Sequence, residues 1–511
     1  MEGNLKKVLI SVYDKDGIDK FARKLVENDY EVVSSGGTAK LLKEKGLDIK
    51  AVSEITGVEE MLGGRVKTLH PKIFGGILAR KEDKKELEKL KISFFDMVIC
   101  NLYPFEDVIE NPDATMADAI ENIDIGGVAL LRAAAKNFER VIIVSDISDY
   151  DWLIERIEKG GLSYKERLSL AKKAFLYTSK YDSAITNFFS QRCDEDEKFP
   201  LNILISLKKD SDLRYGENPH QSASLYLEVS SNNNIQFEKH QGKELSFNNF
   251  IDIESVFNIV NSFKKPVSVI IKHTNPCGIG KGKDTVEAYE RALSTDPMSA
   301  FGGIVGFNRT VTKETAALII KSFKEVIVAP SFDKSALDIF KQKKNLRVVK
   351  IEKTGSLKLD YRRTFAGWLV QEKDKHEVNE KEWEFVSNIK PTEEELNALR
   401  FAWKVVGFVK SNAIVITDDV KTLGIGAGQM SRIDAAELAV KKAKQANLEV
   451  KGAVLASDGF FPFRDSIDFA AKKRIKAVIE PGGSRRDNEV IEAANEKDII
   501  LVFSHRRHFR H

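Results

Sequence analysis

Apolar positions in the first third of the chain fall into short buried runs separated by stretches of helical period. Val8–Val12 reads as a strand and Lys15–Glu27 as an amphipathic helix. Glu31–Ser34 reads as a second strand, broken by Ser35-Gly36-Gly37 before a helix over Thr38–Lys45. Met97–Leu102 and Val141–Ser145 are further apolar strands, with helical segments at Gly127–Lys136 and Tyr150–Glu158. Strand–helix alternation predicts an α/β domain with a mainly parallel sheet covered on both faces. Small ligands then bind at the carboxyl ends of the strands.

The pattern lapses into Asp194-Glu195-Asp196-Glu197-Lys198, and a domain boundary is placed there, giving 1–197 and 198–511. The same stretch also reads as a solvated loop inside one domain. Beyond it, strands are expected at Val267–Lys272, Gly303–Phe307, Val326–Val328, Ala413–Thr417, Ala453–Ser457 and Ile499–Phe503. Helices are expected at Phe250–Ser262, Thr392–Val405, Asp434–Gln445 and Arg486–Glu496. No short-period solenoid repeat is visible.

Composition narrows the class. A net charge of only +3, with both signs spread along the chain, argues against a dedicated nucleic-acid binder. No run approaches the ~18–20 apolar residues of a membrane span. The three cysteines, Cys100, Cys193 and Cys277, are too far apart for a disulfide framework or a Cys-x-x-Cys metal site, and a reducing cytoplasm fits them.

Several motifs carry candidate chemistry. Ser34-Ser35-Gly36-Gly37-Thr38 follows a strand and opens a helix, which suits an anion on free helix N–H groups or an ordinary capped turn. Gly63-Gly64-Arg65-Val66-Lys67-Thr68-Leu69-His70-Pro71 combines glycines and cations as a phosphorylated substrate requires. His70, preceding proline, reads as structural. Asn101-Leu102-Tyr103-Pro104-Phe105 ends an apolar strand, and Glu121-Asn122-Ile123-Asp124-Ile125-Gly126-Gly127 sets a carboxylate, as a cap or an active group, before a helix start.

In the second part, Arg214-Tyr215-Gly216-Glu217-Asn218-Pro219-His220-Gln221 reads as a binding loop. Lys272-His273-Thr274-Asn275-Pro276-Cys277-Gly278 follows a strand, where His273 serves either as a general base or as a structural histidine. Phe460-Phe461-Pro462-Phe463 reads as core or as a wall for a flat heteroaromatic ligand. His505, His508 and His511 read as part of a basic tail, because no cysteine or carboxylate cluster accompanies them in sequence.

Taken in order, these motifs resemble the bifunctional AICAR transformylase / IMP cyclohydrolase family over nearly the whole chain (AICAR is the aminoimidazole carboxamide ribonucleotide substrate). The resemblance implies a methylglyoxal-synthase-like parallel-sheet domain followed by a cytidine-deaminase-like α/β domain. It implies the last two steps of purine biosynthesis, formyl transfer from the co-substrate 10-formyltetrahydrofolate and then ring closure to inosine monophosphate. In the first domain it places the substrate on Lys15, Ser35, Gly36, Gly37, Thr38, Arg65, Thr68, Asn101, Gly126 and Gly127, and proton transfer on Lys67, Tyr103, Asp124 and Lys136. A serine is the family expectation where Tyr13 stands.

In the second domain the resemblance makes His273 the base, with Lys272 and Asn412 beside the tetrahedral intermediate. Arg214, Tyr215, Arg432 and Arg507 match substrate positions; Phe301, Phe460 and Asp465 match the folate pocket. A glutamine is expected at Met430. A cytoplasmic homodimer is implied, with transformylase sites shared between two second domains; the aromatic run Phe460–Phe463 and the arginine-rich tail Arg506–Arg510 suit a covered surface. No metal is expected: a zinc deaminase needs His-x-Glu and Pro-Cys-x-x-Cys, and Pro276-Cys277-Gly278 has no second cysteine nearby. Two other classes compete: a nucleotide-binding regulator without turnover, and a single-activity enzyme with one degenerate domain.

Overall fold

The structure, a computed structural model, describes residues 5–111, 113–193, 198–228, 237–352 and 359–511. The chain forms two compact units, Met1–Leu207 with Glu228–Asn232, and Lys208–Leu227 with Asn233–His511. The acidic residues 194–197, where the sequence suggests a boundary, lie outside the described residues.

Among the described residues, the first unit is built on five strands: β1 (Lys6–Ser11), β2 (Tyr30–Ser34), β3 (Lys50–Ala51), β4 (Met97–Cys100) and β5 (Ile142–Val144). All pair in parallel, in the order β3-β2-β1-β4-β5. Helices α1 (Ile18–Glu27) and α2 (Gly36–Glu44) follow the first two strands. The connection from β3 to β4 carries the short helices α3 (Val52–Thr56), α4 (Pro71–Leu78) and α5 (Lys84–Lys89). After β4 come α6 (Phe105–Glu110), α7 (Met116–Glu121) and α8 (Gly126–Lys136); after β5 come α9 (Tyr150–Glu158) and α10 (Tyr164–Cys193). The strand order reverses beside β1 and β4, so their carboxyl ends form the crevice where such sheets bind ligands. Asn101 spans that crevice: its Oδ1 accepts from the Tyr13 and Asp14 N–H groups (2.6 and 3.0 Å), and its Nδ2 donates to the Asp14 carbonyl (3.0 Å).

The 30-residue α10, about 45 Å long, has no counterpart in the sequence reading. Its apolar residues face α6, α8 and β5 in turn, so no single stripe marks it.

Arg140 holds the end of α4 to the start of β4. Its guanidinium donates to the carbonyls of Gly76 (2.7 Å), Ile77 (2.8 Å), Ala79 (2.7 Å) and Phe95 (2.8 Å), and it lies 4.6 Å from the Phe94 ring centroid. Three of these carbonyls belong to the last turn of α4 and the residue after it, which have no intrahelical partner. Arg140→Ala removes a charged donor from all four, leaving the Phe95 N–H on Gly76 and the Asn137 amide on Ile77 and Ala79, and we expect a loss of about 2 kcal/mol of stability, read as a lower urea midpoint at unchanged slope.

The second unit opens with a hairpin, β6 (Leu207–Leu213) and β7 (Ala223–Glu228). It then contains one six-stranded arrangement twice. The first copy runs β8 (Phe237–Gln241), α11 (Phe247–Asn261), β9 (Val267–Lys272), β10 (Asn275–Lys281), α12 (Thr285–Thr295), β11 (Ile304–Phe307), α13 (Lys313–Ile319), β12 (Val326–Ala329), α14 (Lys334–Phe340) and β13 (Arg347–Ile351). After a hairpin of β14 (Leu359–Thr364) and β15 (Gly367–Glu372), the second copy runs β16 (Glu384–Phe385), α15 (Glu393–Val406), β17 (Ile414–Thr417), β18 (Thr422–Gly426), α16 (Arg432–Gln445), β19 (Val454–Ser457), α17 (Asp465–Lys472), β20 (Ala477–Glu480), α18 (Asp487–Glu496) and β21 (Ile500–Phe503). The sheet orders, β10-β9-β11-β12-β13-β8 and β18-β17-β19-β20-β21-β16, are the same topology.

Strand alternation divides the core. Val267, Val269 and Ile271 join Val415 and Ala456 in a shared core that also takes Val256 of α11 and Trp403 of α15. Ile270 and, in the second sheet, Ile414 and Ile416 point to separate outer cores under α12 and α16. β10 and β18, absent from the sequence reading, are glycine-bearing strands. A Cβ on Gly278 or Gly280 would overlap the α12 backbone, and one on Gly424 or Gly426 the α16 backbone. The Gly424-x-Gly426 spacing, which misses the dinucleotide pattern, therefore serves packing.

Candidate functional site

In the first unit, polar groups gather at the carboxyl ends of β1, β2 and β4. Ser35 is the N-cap residue of α2, and its side chain makes no capping bond. Two lysines converge on that helix start: a Cβ on Gly36 would lie 2.9 Å from Lys67 Nζ, and one on Gly37 3.7 Å from Lys15 Cε. Free N–H groups with two ammonium groups beside them make an anion site. The Thr38 hydroxyl, in contrast, is committed within the fold: it is buried and donates to the Val12 carbonyl (2.9 Å), tying α2 to the end of β1. Asn101, expected to touch substrate, spends its amide on the Tyr13–Asp14 turn.

Lys67 also contacts Glu60 (3.7 Å) and carries its positive charge toward Asp124. Asp124 Oδ1 accepts from the Gly127 N–H (2.7 Å), so the carboxylate does cap α8. Burial pushes its carboxyl above the ordinary range, outweighing the Gly127 and Tyr103 N–H groups and Lys67, which pull it down. A Cβ on Gly127 would fall 2.6 Å from Asp124 Oδ2, and one on Gly126 3.4 Å from Thr68 Oγ1. Tyr103 is partly exposed, edge-on to Tyr13 with centroids 5.4 Å apart; this is where the expected serine is replaced. Arg65 is exposed and paired with Glu121. Lys136 is not brought in: it ends α8, exposed, about 15 Å along the helix from Gly126.

Sequence reasoning missed the support from α10. Tyr177 Oη accepts from the Leu102 N–H (3.1 Å); Tyr181 Oη accepts from the Asp124 N–H (2.9 Å) and donates to the Asn122 carbonyl (2.9 Å). His70 is structural, as its sequence context suggests: Nδ1 accepts from the Lys72 N–H (3.1 Å) and caps α4.

In the second unit, His273 and Thr274 form the β9–β10 turn with φ of 54° and 64°, the left-handed conformation of a tight hairpin. Asp252 of α11, unremarked in sequence, holds this turn by accepting from the Thr274 N–H (2.6 Å), and burial raises its carboxyl. Exposed His273 is thus presented on a braced backbone beside Lys272, whose Nζ donates to the Phe301 carbonyl (3.0 Å). Asn275 donates to the His273 carbonyl (3.2 Å) and accepts from the Lys410 N–H (3.0 Å), linking the turn to the segment that carries Asn412. Asn412 Nδ2 donates to the Gln429 carbonyl (2.9 Å).

Lys272, His273, Asn275, Cys277, Asp296 and Lys442 help line a cavity of about 230 Å³. The Lys442–Asp296 ion pair closes one side at 2.8 Å. Burial pushes the Cys277 thiol up to about 12, so it remains an uncharged wall. A second hollow of about 330 Å³ is lined by Phe460, Pro481, Gly482, Gly483, His505 and Arg507. Phe460 and Phe463 are exposed and Phe461 is fully buried, so the aromatic run serves both wall and core. Phe301 and Met430 are exposed, and Asp465 opens α17. Arg214 and Tyr215 sit in the β6–β7 hairpin loop, stacked 5.5 Å apart.

Two expectations need correction. Arg432 is not free for a phosphate: it donates to Ser457 Oγ (3.0 Å) and pairs with fully buried Asp458, which also accepts from the Ala413 N–H (3.1 Å) beside Asn412. Nor is the histidine-rich tail without carboxylates. His505 meets Glu384 (3.1 Å) and His508 meets Asp374 (2.6 Å). Arg506 pairs with Glu382, and Arg510 donates to the Phe408 carbonyl (2.8 Å), so most of the tail is bound within its own chain. Burial lowers the His376 ring to about 4; burial raises Asp374, but His508 and His376 more than offset this and bring it to about 2.

The fold and these two polar clusters define a two-site α/β enzyme that handles anionic small molecules. An MGS-like domain matches residues 17–129, and the AICARFT/IMPCHase bienzyme family matches residues 134–442. The bifunctional purine biosynthesis proteins PurH of Persephonella marina and Aquifex aeolicus are each 49% identical, and that of Caldicellulosiruptor saccharolyticus 47%; each match covers 99% of this chain and all of the relative. The chain belongs to the AICARFT/IMPCHase bienzyme family.

The raised Asp124 carboxyl has a measurable consequence. A folded-state pKa above the unfolded value favours folding below the ordinary Asp range and loses that contribution as pH rises through the raised value. Urea melts of the protein and of Asp124→Asn between about pH 4 and pH 7 should show the variant gaining stability relative to the parent as pH rises. A constant difference across that range contradicts the buried-carboxylate account.

Proposed function

We infer that this chain formylates AICAR with 10-formyltetrahydrofolate and then closes the ring of the product to inosine monophosphate. The observation that carries this is the end-to-end match to bifunctional relatives, 49% identical over 99% of the chain. The first domain, 1–197, houses cyclisation, and the second, 198–511, houses formyl transfer; the duplicated six-stranded sheet supports a cytidine-deaminase-like assignment for the latter.

In formyl transfer, the substrate amine attacks the formyl carbon and the amine proton passes to His273. Lys272 and Asn412 face the tetrahedral oxyanion, whose collapse breaks the bond to the folate nitrogen and releases tetrahydrofolate. Phe301, Phe460 and Asp465 receive the folate, and Arg214, Tyr215 and Arg507 the nucleotide. Arg432 acts through Asp458, positioning the backbone beside Asn412. In cyclisation, the carboxamide nitrogen attacks the formyl carbon within one molecule, and water leaves. Binding the phosphate at α2 with Lys15 and Lys67 holds the two groups together, removing much of the entropic barrier. Lys67 polarises the formyl oxygen, while Tyr103 and Asp124 move protons. Burial raises the Asp124 carboxyl, which makes it a better proton acceptor than an exposed aspartate. Neither step calls on a metal ion, since the buried, uncharged Cys277 thiol has no partner thiol for a deaminase-type zinc. Unpaired thiols at Cys100 and Cys277 suit a reducing cytoplasm.

A coupled assay that follows tetrahydrofolate and inosine monophosphate together tests the two-site reading. His273→Ala should lower formyl transfer by about 10²-fold or more while cyclising pre-formed formyl substrate normally. Lys67→Ala should accumulate the formylated intermediate, with ring closure lowered about 10²-fold. Loss of both activities from either folded variant refutes separate sites, and binding without any product favours a regulator.

The transformylase site is completed by a second copy of the chain, a reading supported by exposed Phe301, whose carbonyl meets Lys272, and by exposed Met298, Phe460 and Phe463. Dilution through the dimer range should remove formyl transfer before cyclisation. Sedimentation beside both assays checks this, and a fully active monomer rules it out.

A further inference from the structure

Three side chains distant in sequence meet where the C-terminal tail docks on the second unit. His508 is 5% exposed, and its ring packs 4.9 Å from Trp403 and 5.4 Å from His376. The His376 ring lies 4.2 Å from Phe408, filling the space above Gly407, where a Cβ would fall 2.5 Å from Nδ1. Both imidazoles approach one oxygen: Asp374 Oδ2 is 2.6 Å from His508 Nδ1 and 3.6 Å from His376 Nδ1. The other oxygen, Oδ1, accepts from the His376 N–H (3.1 Å) and fixes the carboxylate's orientation. His376 Nδ1 is buried and makes no hydrogen bond. A buried polar nitrogen without a hydrogen-bond partner is costly, and one facing a carboxylate and a second imidazole is a ligand in waiting.

We propose that Asp374, His376 and His508 bind a divalent transition-metal ion of the zinc class, and that the ion clamps the C-terminal tail. One ligand atom from each residue lies within 4.8 Å of the other two, and two imidazoles with one carboxylate form a typical zinc set. Ligand atoms about 2.1 Å from a tetrahedral ion are roughly 3.4 Å apart, close to the His376–Asp374 spacing. The His508–Asp374 hydrogen bond opens as the ion enters. Coordination through Nδ1 requires the His508 ring to carry its proton on Nε2. Asp374 is 46% exposed on its side chain, which leaves an entry path and a place for a water ligand. The positive charges of Arg510 and Lys404 reach His376 and oppose a dication, but both side chains point their hydrogens at carbonyls, Phe408 and Ser262 respectively.

The clamp lies outside the residues lining either cavity. It acts on the formyl-transfer site through the tail: the His508 N–H donates to the Asp458 carbonyl (3.0 Å), the Ser411 N–H donates to the Arg510 carbonyl (2.9 Å), and Arg507 lines the second hollow.

Cobalt(II) added to chelator-stripped full-length protein tests this. We expect one equivalent bound per chain, visible d–d absorption of a low-coordinate site, and a raised melting temperature. His376→Gln and Asp374→Asn, on the more exposed side of the cluster, should each weaken binding by about tenfold or more, while His511→Gln leaves it unchanged. Absence of stoichiometric binding, or binding that both variants keep, overturns the site.

Discussion

Helix and strand approach each other only as closely as the side chains between them allow, and the second unit depends on removing those side chains. Gly278 and Gly280 let α12 rest on the backbone of β10, and Gly424 and Gly426 let α16 rest on β18. With the two glycine-bearing strands drawn under their helices, they also reach each other: the Lys281 N–H donates to the Val420 carbonyl (2.8 Å), and the Ile279 N–H to Thr422 Oγ1 (2.9 Å). The tight β9–β10 hairpin that results puts His273 at a turn with positive φ, where Asp252 satisfies the backbone. Any larger residue at those glycines pushes a whole helix outward, and the hairpin and its histidine move with it.

Electrostatics follows the same economy of position. In the first unit charged side chains gather at helix starts: Lys15 and Lys67 at the start of α2, Asp124 at the start of α8. In the second unit the buried pair of Arg432 with Asp458 is structural; it braces the entry to β17 beside Asn412. A guanidinium already neutralised by a buried carboxylate has little attraction left for a phosphate, whereas Arg507 is exposed.

Burial shifts the proton affinity of ionisable groups around both clusters. It raises the Asp124 and Asp252 carboxyls above their ordinary range and holds Cys277 as an uncharged thiol. Each effect has one cause: a charged form loses its water when its side chain enters a packed unit.

The strands Val8–Val12, Val267–Lys272 and Ala413–Thr417 were legible in the sequence because parallel or central strands are buried on both faces and show as unbroken apolar runs. The motifs at Ser35-Gly36-Gly37, Gly64–Lys67 and Lys272-His273 were legible because backbone access to an anion and proton transfer require particular residue types at short spacing. β10 and β18 were not, since glycines chosen for close helix approach erase the apolar signal of a strand, and α10 was not, since it faces several neighbours. The burial of Arg432, the loss of Thr38 to the end of β1 and the meeting of Asp374, His376 and His508 were decided by tertiary structure alone. Local sequence specifies the period and chemistry of a segment; which groups meet across a hundred or more residues depends on how the packed layers close around them.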